Sequence, residues 1–334
     1  MNQLAKTTAA VFFAGALLVS CTNSPYTEES PQLRVVTTVS PITSIVENIG
    51  GPRIHLEGLV PEGVNSHTFD PPPSVARTVS KADLIIVNGL FLEEPFLKIA
   101  NANKKPSAIV LALANETLSS DQWTFDFSFP SSQGLPNPHL WTDPLLALEY
   151  AKLVRNELVK LDPSNSFYYQ INYQLFSNRI MELDQNISDA IKSIPPSNRK
   201  LLTYHDSFPF FGLRYGLEII GAVQPSAFTE PSAREIAHLI DQVVHLNVPA
   251  IFGSAGFSSK VMEQISRESG AKFVDGLRDD DLPGEPGDTR HTYLGLMLHN
   301  AKIIVSSLGG NPSPLSEFNP SLVFQEQSLA IYPQ

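Results

Sequence analysis

The sequence predicts an α/β fold of two lobes with mostly parallel sheets, joined by one long helix. Short apolar runs rich in β-branched residues alternate with helical patterns along the 334-residue chain, as they do in βαβ units. Four such runs fall in each half of the chain. A single long helical pattern, residues 162–196, separates the two halves.

The predicted strands alternate with helix patterns such as residues 41–50, 232–246 and 259–270. The strands span residues 34–40, 55–60, 84–89 and 107–112 in the first half, and 201–207, 217–223, 250–255 and 271–277 in the second. This alternation predicts two Rossmann-like lobes of similar size, residues 33–161 and 197–334.

The linking helix is the least usual element. Asp162 is suited to cap it, Pro163 suits its first position, and Pro195 and Pro196 end it. An apolar stripe recurs along it at steps of three and four residues: Ile180, Leu183, Ile187, Ile191 and Ile194. About 30 helical residues span roughly 45 Å, which predicts a rigid connection between the lobes.

The first residues have the pattern of a bacterial export signal. Lys6 precedes an apolar stretch, residues 9–19, that is too short to span a bilayer. The following "LVSC" (18–21) resembles a lipobox, which implies a signal peptide at 1–20, lipidation of Cys21 and a tether at 21–32. The protein is then extracytoplasmic and lipid-anchored to the membrane. The alternative is an ordinary signal peptide with an incidental cysteine, the only one in the chain.

The charge balance limits the partners. There are 23 Lys and Arg residues and 34 Asp and Glu residues, for a net charge of −11. Nucleic-acid binding normally requires a basic face, so this composition argues against it. It is compatible with binding a cation.

Three of the eight histidines lie at or beyond the carboxyl ends of predicted strands. His67 is in the proline-stiffened "GVNSHTFDPPPS" (63–74), His139 in "NPHLWTDP" (137–144), and His205 ends "LLTYHDS". Asp275 ends the last predicted strand in the same way. Ligands of open α/β sheets bind at this edge, so a cleft between the lobes is the expected site.

Three imidazoles and a carboxylate would complete a tetrahedral zinc shell. Asp70, Asp143 and Asp206 are the predicted hydrogen-bond partners of the histidine rings. Because ligands so far apart form no local motif, spacing by itself favours scattered structural histidines over a metal site.

The motifs in order resemble a known family. The segments "PEGVNSHTFDPPPS", "NPHLWTDP", "TYHDSFPFFGLRYGLEIIG", "AFTEPSAREIAHLI" and "FVDGL" followed by "TYLGLMLHN" resemble those of the substrate-binding lipoproteins of bacterial metal-ion ABC transporters, the ZnuA/TroA-like family. The resemblance implies that His67, His139, His205 and Asp275 bind a transported ion. It also implies a monomer that delivers the ion to a membrane permease and serves metal homeostasis.

The resemblance leaves the ion open. A histidine at the position of His205 favours Zn²⁺, and Mn²⁺ or Fe²⁺ is the alternative. The segment 121–137 lacks the histidine-rich loop of many zinc members, and the acidic run 278–285 competes with Asp275 for the fourth position. A zinc hydrolase is the enzyme alternative, but four protein ligands leave no open position and no HExxH is present. A surface adhesin is the remaining alternative.

Overall fold

The computed structural model describes residues 32–226, 228–255, 260–328 and 330–333. The predicted signal peptide, Cys21 and all but the last residue of the tether lie outside these residues. Residues from Gln32 onward belong to one compact unit. Within the described ranges, no helix combines the length and apolar character needed to cross a bilayer.

Two four-stranded parallel sheets confirm the predicted fold class. Their strands are β1 (Leu33–Thr37), β2 (Ile54–Gly58), β3 (Leu84–Val87) and β4 (Ile109–Ala112) in the first sheet, and β5 (Lys200–Thr203), β6 (Glu218–Ala222), β7 (Ala250–Ser254) and β8 (Lys272–Leu277) in the second. The strand orders are β2-β1-β3-β4 and β6-β5-β7-β8, so both sheets have the same topology. All eight strands overlap the runs predicted from the sequence.

Helices connect the strands and join the two sheets. Those of the first half are α1 (Ser40–Gly50), α2 (Pro73–Val79), α3 (Glu94–Asn103), α4 (Leu113–Thr117) and α5 (Pro144–Leu161). They are followed by α6 (Ser166–Lys192), α7 (Pro209–Tyr215), α8 (Ala233–His245), α9 (Lys260–Ser269) and α10 (Tyr293–Ser307).

The long linking helix is confirmed as α6, with a later start than predicted. It has 27 residues and is about 40 Å long. Asp162 does not cap it; its carboxylate instead accepts hydrogen bonds from Asn165 and Tyr169 in the turn between α5 and α6. The helix packs against α1 and α5, which precede it in the sequence, and against α10, which follows it.

The end of the chain returns to the first sheet. Ile331 pairs with Glu57 of β2, and the Tyr332 hydroxyl donates a hydrogen bond to the buried Glu47 of α1. The lobe predicted for residues 197–334 therefore sends its last residues onto the first lobe. This contact adds to α6 in holding the two lobes together.

Candidate metal centre

Three histidines that are distant in sequence meet between the two sheets. His67 and His139 come from the first half of the chain, and His205 follows β5 in the second. The Nε2 atom of His139 lies 3.4 Å from Nε2 of His67 and 3.1 Å from Nε2 of His205. One ring nitrogen from each histidine lies within 4.8 Å of the others, and the described residues contain no other such group of metal-binding side chains.

Hydrogen bonds at the far side of two rings fix their orientation. Nδ1 of His139 lies 2.8 Å from Oδ1 of Asn137, and Nδ1 of His205 lies 2.5 Å from Oε1 of Gln224. Because an amide oxygen only accepts, each Nδ1 carries the proton and donates. Each Nε2 is then left with a lone pair that faces the other histidines.

His67 is held differently, by its own loop and by an aromatic ring. Its backbone N–H donates to the side chain of Asn65, which closes the turn before the prolines. Its ring stacks on Phe228 with centroids 4.4 Å apart. Phe228 has a φ of +53°, a conformation that costs a non-glycine residue about 1–2 kcal/mol. A strained aromatic residue of the second half thus covers a histidine of the first.

The predicted ring partners were wrong. Asp70 is exposed, and Asp143 caps α5 through the Leu145 amide and contacts Arg214 at 3.3 Å. Asp206 accepts a hydrogen bond from the Ser128 amide. Asn137 and Gln224 were missed in the sequence analysis as the residues that orient the rings. For Asn137, its position two residues before His139 could have indicated this role; nothing in the sequence indicated it for Gln224.

Burial keeps two of the rings neutral. Desolvation lowers the pKa of His67 well below its ordinary value, and the repulsion that arises if both rings are protonated, that of His67 and that of His205, lowers it further. Desolvation, followed by His205 and His67, lowers the pKa of His139 in the same direction. Neutral imidazole is the form that binds metal ions, so both rings are in the ligand state without having to lose a proton.

The structure does not bring Asp275 to the histidines. Its side chain is exposed, accepts a hydrogen bond from the Gly276 amide, and lies over Gly253 of the neighbouring strand. The carboxylate beside the histidines is that of Asp279, whose Oδ2 lies 3.9 Å from Nε2 of His205. The acidic run was the sequence's alternative for this position.

A bulge near the end of β8 lies between Asp275 and Asp279. Gly276 has a φ of +97°, which only glycine adopts readily, and the register with β7 shifts near this point. The chain is thereby redirected after β8, and Asp279 becomes buried. Its Oδ2 accepts a hydrogen bond from Ser207, and its backbone oxygen accepts one from the indole of Trp141.

The acidic loop after β8 also binds the loop of His67. The Ser66 hydroxyl donates to Asp280, and the Gly63 amide donates to Asp281 at 2.9 Å. A cavity of about 40 Å³ beside these contacts is lined by Asp279, Asp280 and Asp281. The loop of His67 and the acidic loop after β8 therefore form the walls of one small cavity.

A pair of carboxyl groups lies behind His205. Burial, with the nearby charge of Asp206, raises the pKa of Asp126 to about 9. Burial also raises the pKa of Asp206. Asn137 donates to both residues, to the carboxylate of Asp126 and to the backbone oxygen of Asp206. The residue that orients His139 is therefore fixed to both halves of the chain.

Comparison with known proteins identifies the family. Residues 35–307 match the model of the ZnuA family, described as zinc-uptake complex component A, periplasmic. The chain belongs to this family. It is accordingly a metal-binding component of an uptake system and not an enzyme, which confirms the family expected from the sequence.

Individual relatives differ in the ion for which they are named. The iron-binding protein YfeA of Yersinia pestis is 30% identical over 86% of this chain and 89% of its own length. The manganese-binding lipoprotein MntA of Halalkalibacterium halodurans is 28% identical over 84% and 90%. The solved structure of the periplasmic zinc-binding protein TroA of Treponema pallidum is 29% identical, with a TM-score of 0.76 over 83% of this chain and 99% of its own.

Proposed function

We propose that this protein captures Zn²⁺ outside the cytoplasm and delivers it to the membrane permease of an ABC transporter. His67, His139, His205 and Asp279 would bind the transported ion. The observation that carries the proposal is the convergence of three Nε2 atoms, two of them oriented by hydrogen bonds at Nδ1.

The spacing of these atoms suits zinc. Nitrogen ligands lie about 2.0–2.1 Å from zinc, so two of them at a tetrahedral angle are about 3.3 Å apart. The separations of 3.4 Å and 3.1 Å around His139 are close to that value. Three imidazoles with one carboxylate also favour zinc over manganese, which prefers oxygen ligands.

Asp279 replaces Asp275 as the proposed fourth ligand. It is buried beside His205 and is held by Ser207, so little entropy is lost when it binds an ion. Its negative charge would offset part of the charge of the cation, which three neutral imidazoles cannot do.

The proposed location is the outer face of a membrane. Cleavage before Cys21 and lipidation of its thiol would anchor the protein there, and several relatives are named as lipoproteins. A tether of about ten residues reaches at most about 35 Å, which would keep the captured ion near the permease.

The first test is metal competition on residues 22–334, which include the whole compact unit. Zinc and manganese are titrated against each other, and bound metal is counted by native mass spectrometry. We expect one tightly bound zinc ion per chain and its loss in His205→Ala. His238→Ala, on the exposed face of α8, is the matched control and should bind as the parent does. No bound metal in the parent chain would contradict the proposal.

A second pair of variants tests the carboxylate. Asp279→Asn removes the charge beside His205, and Asp275→Asn removes the same charge from an exposed position. We expect zinc affinity to fall about 10- to 100-fold in the first variant and to stay within about twofold in the second. The opposite order would restore Asp275 as the ligand.

Manganese and iron are the competing cargo, because relatives are named for both ions. If manganese displaces zinc at equal concentration, the transport role remains and the choice of ion is wrong. Neither outcome depends on the identity of the permease.

A further inference from the structure

A second site lies on the first lobe, away from the histidines. A cavity of about 230 Å³ opens between β1, β2 and the segment 74–82. We name it the basic pocket, and its polar lining consists of Arg34, His55, Glu57, Ser74, Arg77, Thr78 and Lys81. Since a water molecule takes up about 30 Å³ of the liquid, the cavity has room for a small anion and its hydration water.

Two separate elements supply this lining. Ser74, Arg77 and Thr78 recur at three- and four-residue steps in α2 and therefore share one face of the helix, opposite the buried Val75 and Val79. Arg34 of β1 is paired in register with His55 of β2, so these side chains leave the same face of the sheet. Helix and sheet thus direct their basic groups into one concavity.

The basic groups of the pocket are only partly neutralised. Among the described residues, no ion pair joins Arg34, Arg77 or Lys81 to a carboxylate, although the carboxylate of Asp83 accepts a hydrogen bond from the Arg34 amide and interacts with the charge of Arg34. Glu57 is the only acidic residue in the lining, and one of its oxygens accepts a hydrogen bond from Thr78. The lining therefore has three cations and one carboxylate, on a chain whose net charge is −11. Like charges gathered in a cavity repel one another unless an anion binds among them.

We propose that the basic pocket binds a phosphate group. The planar guanidinium groups of Arg34 and Arg77 match the oxygens of phosphate, and Lys81 adds a point charge. The hydroxyls of Ser74 and Thr78 supply neutral donors at the same face. Nothing in the transport of a cation requires this pocket, and no residue of the proposed metal site contributes to it.

The location indicates where such a phosphate would be met. Arg34 and His55 lie at the amino ends of their strands, so the basic pocket is at the opposite edge of the sheet from the histidines. Arg34 also lies two residues after Gln32, where the predicted tether ends. If Cys21 is lipidated, the pocket is within about 45 Å of chain from the membrane surface. The phosphate of a lipid headgroup and free inorganic phosphate share the required chemistry.

The test compares two double variants of residues 22–334 with the same loss of charge. Arg77→Ala/Lys81→Ala removes two cations from the basic pocket. Lys98→Ala/Arg234→Ala removes two exposed cations elsewhere and is the control. Inorganic phosphate is titrated by calorimetry, and cosedimentation is measured with vesicles of phosphatidylglycerol and of phosphatidylcholine.

We expect the pocket variant to lose phosphate-group affinity at least about tenfold while the control keeps that of the parent chain, because hydrogen bonds between charged groups are stronger than those between neutral groups. Binding to phosphatidylglycerol vesicles that free phosphate displaces identifies a lipid headgroup as the ligand. Binding of inorganic phosphate without vesicle binding identifies the free ion. Equal affinity in the two variants, or no binding by the parent in either assay, overturns the proposal. Zinc affinity should be the same in all three proteins, so this result is independent of the metal site.

Discussion

The two lobes have the same sheet order but position their site residues differently. In the second lobe, His205 and Asp279 each lie two residues beyond the end of a strand, β5 and β8. In the first lobe, His67 lies in the loop between β2 and α2, and His139 lies well past β4, just before α5. His205 and Asp279 are positioned by the strand ends that precede them. His67 and His139 depend instead on contacts made by long loops.

Those contacts come largely from the other lobe. Phe228 stacks on His67, and the Asp206 backbone accepts a hydrogen bond from Asn137, the partner of His139. The loop of His67 is bound to Asp280 through Ser66. The first-lobe histidines are therefore in place only while the lobes stay together. Substitutions of the residues that orient the rings should consequently lower zinc affinity more in the first lobe than in the second.

The largest expected difference in zinc affinity is between the variants Asn137→Ala and Gln224→Ala. Asn137 is fully buried and bonds His139, Asp126 and the Asp206 backbone, so its removal frees a loop as well as a ring. We expect zinc affinity to fall about 10- to 100-fold, with a loss of about 1–3 kcal/mol in the free energy of unfolding.

Gln224→Ala should have a smaller effect on zinc affinity, because β5 still positions His205. Competition with a chromophoric chelator measures both affinities, and urea unfolding measures stability. Equal losses of affinity in the two variants would mean that strand ends and loops position the rings equally well.

A smaller effect is expected from pH, through Asp126. Its pKa is raised from 3.8 to about 9 in the folded chain, so folding retains a proton that the unfolded chain releases. The stability from this group is complete below pH 3.8 and is lost progressively as the pH rises toward 9.

Asp126→Asn resembles the protonated acid and should be increasingly more stable than the parent across that range. Urea unfolding in the presence of a chelator at several pH values measures the difference. Asp275→Asn, at an exposed carboxylate, is the control and should follow the parent. A constant difference between Asp126→Asn and the parent at all pH values would show that Asp126 is ionised in the folded protein.

The smallest expected effect is a movement of the two lobes relative to each other when metal binds. The helix α6, the returning tail at Ile331 and the bonds of Ser66 and Gly63 to the acidic loop all hold the lobes at a fixed distance. We therefore expect loop and side-chain shifts near the site and almost no change in radius of gyration. Small-angle scattering with and without zinc checks this expectation, and a marked compaction would indicate hinge closure instead.

Local patterns were sufficient for much of the fold, and together with the family resemblance they indicated three residues of the candidate site. Apolar runs of strand length predicted the two sheets, and the apolar stripe of α6 predicted the helix that links them. Both patterns are local, because the spacing of apolar residues shows which faces of a strand or helix are buried. His67, His139 and His205 were candidates because each lies at or beyond a strand's carboxyl end, where parallel sheets gather their ligands. The family resemblance, and not their spacing, implied that they bind a metal ion.

The sequence by itself determined which segments become strands and which helix links them, since both depend on order along the chain and on local periodicity. Its motifs, through their family resemblance, also indicated the three histidines of the candidate site. The tertiary structure alone decided that Asp279 lies beside the histidines, that Asn137 and Gln224 orient the rings, and that a basic pocket forms near Arg34. These outcomes depend on a bulge at Gly276 near the end of β8 and on contacts between segments far apart in the sequence. No local pattern predicts such contacts.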